Sequence, residues 1–181
     1  MGVIERVDMI NFMCHRYLSI TLGPRINFII GHNGSGKSAI LTAITVTLGG
    51  KAQTTSRGSS LKDFILEGAQ AAEVRVRLRN GGSDAYRPDL YGDAINIERR
   101  IHSDGSGSWK IKNADGKTIS TKREELDAIC DHANIQVDNP MNILSQDAAR
   151  QFLGSSQPED KYSFFLRGTQ LTQLAQEYEL I

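Results

Sequence analysis

The chain has little cysteine, no net charge of either sign and no long apolar run. Cys14 and Cys130 are its only cysteines, which supplies neither a disulfide framework nor a zinc ligand set; a reducing, intracellular compartment is the expectation. Lysine plus arginine number 21 and aspartate plus glutamate also 21. No global basic coat therefore draws polyanions, and any nucleic-acid binding has to come from a local patch. No apolar stretch reaches membrane-spanning length and no secretory signal opens the chain, so no membrane partner is expected. The length of 181 residues allows one good-sized domain with a real core.

Against these absences stands one loop, Gly31-His32-Asn33-Gly34-Ser35-Gly36-Lys37-Ser38, which fits G-x-x-x-x-G-K-[ST] at every fixed position. Glycines let a backbone wrap closely around phosphates. Successive N–H groups then point inward, and the N-terminus of the following helix adds partial positive charge. The apolar run Ile26-Asn27-Phe28-Ile29-Ile30 reads as a strand leading in, and Ala39 to Leu48 as a buried helix leading out. In that context Lys37 is expected to bridge the β- and γ-phosphates of a nucleotide, with Ser38 on Mg2+ and Ala39 completing the cradle.

Period-two patterning predicts strands over 3–12 and 18–22, ahead of the loop. Residues 51–60 read as an exposed polar loop, and 61–67 as a short helix closed by Gly68. Val74, Val76 and Leu78 alternate with Arg75, Arg77 and Arg79, a half-buried strand with one basic face. Ile95, Ile97 and Ile101 mark the next strand, and Trp109 and Ile111 another. Asp115-Gly116 signals a hairpin before Thr118-Ile119-Ser120. The middle of the chain is thus an antiparallel meander. Thr121 and Glu124 have the spacing of a capping box for a helix that buries Leu126, Ile129 and Cys130. Asp147 is expected to cap a short helix through Leu153, and Pro158 to open one long final helix with an apolar stripe. Lys122 and Arg123 fall in a first helical turn, where the macrodipole disfavours cations by roughly 0.3–1 kcal/mol each. With Lys110, Lys112 and Lys117 they form either a five-cation surface or a solvated polar face.

The loop, together with Asn11-Phe12-Met13-Cys14-His15, Asp138-Asn139-Pro140-Met141, Leu144-Ser145-Gln146-Asp147-Ala148-Ala149-Arg150-Gln151-Phe152-Leu153 and Asp160-Lys161-Tyr162-Ser163-Phe164-Phe165, resembles the structural maintenance of chromosomes (SMC) family of chromosome ATPases. The resemblance covers nearly the whole chain. It implies an α/β fold with a mixed sheet, the N-terminal lobe of an ABC-type P-loop ATPase head. Residues 1–157 would be half of the head and 158–181 the start of a coiled-coil neck. No apolar run ending in Asp-Glu and no Leu-Ser-Gly-Gly-Gln signature occurs in the chain; in the family both lie in the head's C-terminal half.

Several roles follow from the resemblance alone. Gln146 takes the Q-loop position, facing Mg2+ and the attacking water. His15 lies near the adenine. Lys122 and Arg123 first, then Arg57, contact duplex DNA. The implied partners are the C-terminal half of the same head, structural maintenance of chromosomes protein 5 as heterodimer partner, and a kleisin subunit. The implied setting is chromosome maintenance and DNA repair in the nucleus, with hydrolysis only in the assembled complex. The other readings are an ABC-type ATPase of another branch and a P-loop kinase; the antiparallel middle and Gln146 argue against the kinase.

Overall fold

Period-two alternation builds most of the chain's first half. Val3–Phe12 (β1), His15–Thr21 (β2), Ala71–Arg79 (β3), Ala94–His102 (β4), Gly107–Lys112 (β5) and Thr118–Ser120 (β6) form one antiparallel sheet in the order β2-β1-β3-β4-β5-β6. The computed structural model describes residues 2–55, 58–154 and 157–179. They fall into two compact units, Met1–Ala133 and Asn134–Ile181; the boundary read from the sequence, 157/158, lies inside the second.

In the first unit the register sets Val7 opposite Val76, Val76 opposite Ile97 and Ile97 opposite Ile111. All four are buried, each stabilising the fold by ~1.5–3 kcal/mol. The helix Lys37–Thr47 (α1) lies against β1, β3 and β4 and buries Ala39, Ile40, Ala43 and Val46. On the opposite face Arg75 pairs with Glu73 and Glu98, Arg77 with Glu5 at 3.2 Å, and Lys112 with Glu98 at 2.7 Å. Arg75 and Arg77 of the basic strand face are therefore ion-paired, and with Glu98 and Lys112 they line a cleft of about 450 Å³. Between β3 and β4, Pro88–Tyr91 (α2) sets the fully buried Tyr91 hydroxyl 2.9 Å from Glu125 of Arg123–His132 (α3). Burial, then that carboxylate, hold the Tyr91 phenol well above its ordinary range.

The structure corrects several expectations. Residues 26–30 form no strand: Ile26, Phe28 and Ile30 are 81%, 86% and 91% exposed. A strand apolar on both faces needs cover on both, and only Ile29, 43% exposed, gains much of it here. The second strand begins at His15. Ala52–Thr55 is a turn of 3-10 helix with Ala52 and Thr55 buried, and the expected helix over 61–67 shrinks to a 3-10 turn at Leu61–Phe64. Thr121 and Glu124 form no capping box. Lys122 is the N-cap, its N–H held by Ser120 Oγ, while Glu125 turns to the tyrosines.

The second unit holds Gln146–Gly154 (α4), Pro158–Gly168 (α5) and Leu171–Glu179 (α6). Ser145, not Asp147, caps α4, its Oγ accepting from Ala148 N–H at 3.2 Å. The single long final helix is broken between α5 and α6. Thr169 Oγ1 donates back to Phe165 O at 2.9 Å, and Gln170 takes a left-handed φ of 59°. The buried Asn139 donates to Phe164 O of α5 and accepts from Met141 N–H, pinning the turn ahead of α4.

Candidate phosphate-binding site

The loop turns into α1 through backbone conformations that L side chains rarely adopt. Gly34 has φ 81° with open space where a Cβ would stand, so the chain can approach a ligand closely there. Gly36, the N-cap of α1, has φ 84°. A Cβ on Gly36 would meet His15 Nε2 at 2.2 Å and Cys14 Sγ at 2.6 Å. The β1–β2 turn is thus packed directly on the loop, with His15 Nε2 3.4 Å from Gly36 O.

Lys37 Nζ donates to Gly31 O and His32 O, both at 2.7 Å. An ammonium carries three donors, so one remains for an anion at the loop. The Ala39 N–H bonds to Gly36 O at 2.9 Å, which leaves the N–H groups of Lys37 and Ser38 ahead of it at the positive end of the helix dipole. Ser38 is exposed beside them. Donor set, dipole and glycine backbone fit a polyphosphate, and the Ser38 hydroxyl fits a Mg2+ ligand. The missing strand at 26–30 leaves this as a loop–helix site without its expected lead-in.

The structure brings Gly31 through Ala39 together with His15 in the first unit, and adds Cys14, to which the sequence reading gave no role. Gln146 is the first residue of α4 in the second unit. Arg57 lies outside the described residues. Lys122 and Arg123 are both exposed, and Arg123 is also bonded within the fold. Its Nε donates to Asp127 at 2.9 Å and its Nη2 to Gly49 O at 3.0 Å. Lys112 is held by Glu98. Of the five cations, Lys110, Lys117, Lys122 and Arg123 have exposed side chains, that of Arg123 bonded to Asp127 and Gly49 O as well.

The family profile described as AAA domain matches residues 6–181. The structural maintenance of chromosomes protein 6 of Schizosaccharomyces pombe is 54% identical over 99% of this chain and 16% of its own length. The chain thus spans about a sixth of the curated relatives it matches. A solved structure from work on ATP-driven dimerization and DNA-stimulated activation of SMC ATPases superposes with a TM-score of 0.75 at 27% identity, covering 90% of this chain and 96% of that one. An Smc head with an extended coiled coil, bound to the C-terminal domain of ScpA and derived from Pyrococcus furiosus, gives 0.71 at 29% identity, covering 86% and 39%.

Proposed function

The chain belongs to the AAA-domain family, in its structural maintenance of chromosomes branch, and from that premise we propose that it is the ATP- and Mg2+-binding half of an SMC ATPase head. The observation that carries this reading is a complete phosphate loop beside an apolar segment, Ile26 to Ile30, that the chain itself leaves uncovered. The C-terminal half of the same head would supply the missing sheet neighbours, the acidic base and the signature motif.

In this reading Lys37 and the first turn of α1 hold the β- and γ-phosphates. Ser38 holds Mg2+, Gln146 orients metal and water, and His15 stands near the adenine. Bound Mg2+ neutralises charge on the phosphates during transfer. ATP engages a second head, that of structural maintenance of chromosomes protein 5, and a kleisin binds the neck, in keeping with the ScpA-bound neighbour. Duplex DNA lies across the surface carrying Lys122, in chromosome maintenance and DNA repair in the nucleus.

The test is Gly36→Ala in the full-length protein. A left-handed φ on alanine costs about 1–3 kcal/mol, and its Cβ has to displace His15 and Cys14. Titration with a fluorescent ATP analogue is expected to show Mg2+-dependent binding, weakened at least tenfold by the substitution. Affinity equal to that of the unsubstituted protein would refute the assignment.

A further inference from the structure

The far end of α1 is held as deliberately as its phosphate end. Three successive carbonyls there each meet a side-chain donor: Thr47 O takes Trp109 Nε1 at 3.0 Å, Leu48 O takes Cys130 Sγ at 3.7 Å, and Gly49 O takes Arg123 Nη2 at 3.0 Å. Gly49 has φ 100°, and a Cβ there would stand 2.9 Å from Arg123 Nη2, so only glycine lets the guanidinium in so close. Arg123 also binds Asp127 and lies 5.2 Å from the centre of the Trp109 ring. Arg99 sits on the same ring at 3.3 Å, is only 6% exposed, and leaves Nε and Nη1 without a partner. Burial, then Arg123, lower the Arg99 guanidinium to about 10, which keeps it charged at neutral pH. Cations beside the last carbonyls of a helix are favoured by its dipole; Arg123 stands there, and Arg99 lies on the Trp109 ring whose Nε1 bonds Thr47 O.

We propose that Arg123, with Trp109 and Cys130, clamps the C-terminal end of α1 and so positions Lys37 and Ser38 at the other end. Arg123 is then a positioning residue for nucleotide and not a DNA contact. α1 is a rod of about 16 Å, so a tilt allowed at one end displaces the other, and misplacement by about 1 Å can cost a reaction up to a hundredfold. The inference rests on the ATP-binding reading above.

The experiment uses the full-length protein in its assembled complex and compares Arg123→Lys, Trp109→Phe and Lys37→Ala with the unsubstituted protein. Lysine keeps the charge and still serves a phosphate as a point charge, but it cannot make the guanidinium's bonds to Gly49 O and Asp127 while lying on Trp109. Arg123→Lys is expected to raise the Kd for ATP about five- to tenfold while duplex DNA affinity and its salt dependence stay put. Trp109→Phe, which keeps an aromatic ring but removes the Nε1 donor, is expected to shift the ATP Kd in the same direction. A merely structural role would lower the melting temperature without moving the Kd of the folded fraction. An unchanged ATP Kd in both variants, or a loss of DNA affinity confined to Arg123→Lys, would overturn the clamp. ATP binding that survives Lys37→Ala would instead refute the ATP site itself.

Discussion

Replacing Lys37 by alanine in the assembled full-length protein is expected to cut ATP turnover by at least about a hundredfold, the scale on which losing one preorganised charge stabiliser slows a reaction. Phosphoryl transfer is catalysed almost entirely by positioning and charge. In this loop Lys37 is the one side-chain cation, carried on the first residue of α1 and aimed across the mouth by Gly31 O and His32 O. Alanine keeps the helix start and removes only those two bonds, so folding measured by circular dichroism should hardly change. Steady-state phosphate release near that of the unsubstituted protein would remove this loop from the chemistry.

The second large effect concerns the uncovered segment. Phe28 and Ile30 are 86% and 91% exposed in this chain. Fully burying such side chains contributes ~1.5–3 kcal/mol each. If the C-terminal half of the head covers them, the double substitution Phe28→Asp, Ile30→Asp should weaken assembly of the two halves by roughly a hundredfold or more. Little folding energy is lost within the chain, because neither side chain packs in its core. Co-purification of the two halves is the measurement. A pair that forms as well with the aspartates as without them would place the partner elsewhere.

Much of the sheet was legible because its signals are local. Val74, Val76 and Leu78 alternate with arginines and can be satisfied by one buried face, and Asp115-Gly116 announces its own turn. The phosphate loop was legible because its glycines and Lys37 answer a fixed chemical need at fixed spacing. Ile26 to Ile30 misled for the opposite reason: an apolar run becomes a strand only where neighbours pair with it. The cap at Thr121 failed because the helix starts one residue later, with Lys122 as N-cap, and Glu125, then in the third helical position, is drawn to Tyr86, Arg87 and Tyr91, more than thirty positions away in the chain. The break falls at Gln170, a left-handed residue that is not itself glycine, two positions after the Gly168 that ends α5. Arg123 is an exposed cation, as its charge suggested, but sequence could not show that it also bonds Gly49 O, 74 residues earlier.

ATP turnover by this chain alone, and by this chain with the C-terminal half of its head, tests the half-site reading most directly. The expected result is negligible phosphate release by the chain alone, release that appears once the second half and the partner head are added, and its loss again with Lys37→Ala. Robust turnover by the isolated chain that persists in Lys37→Ala would contradict it.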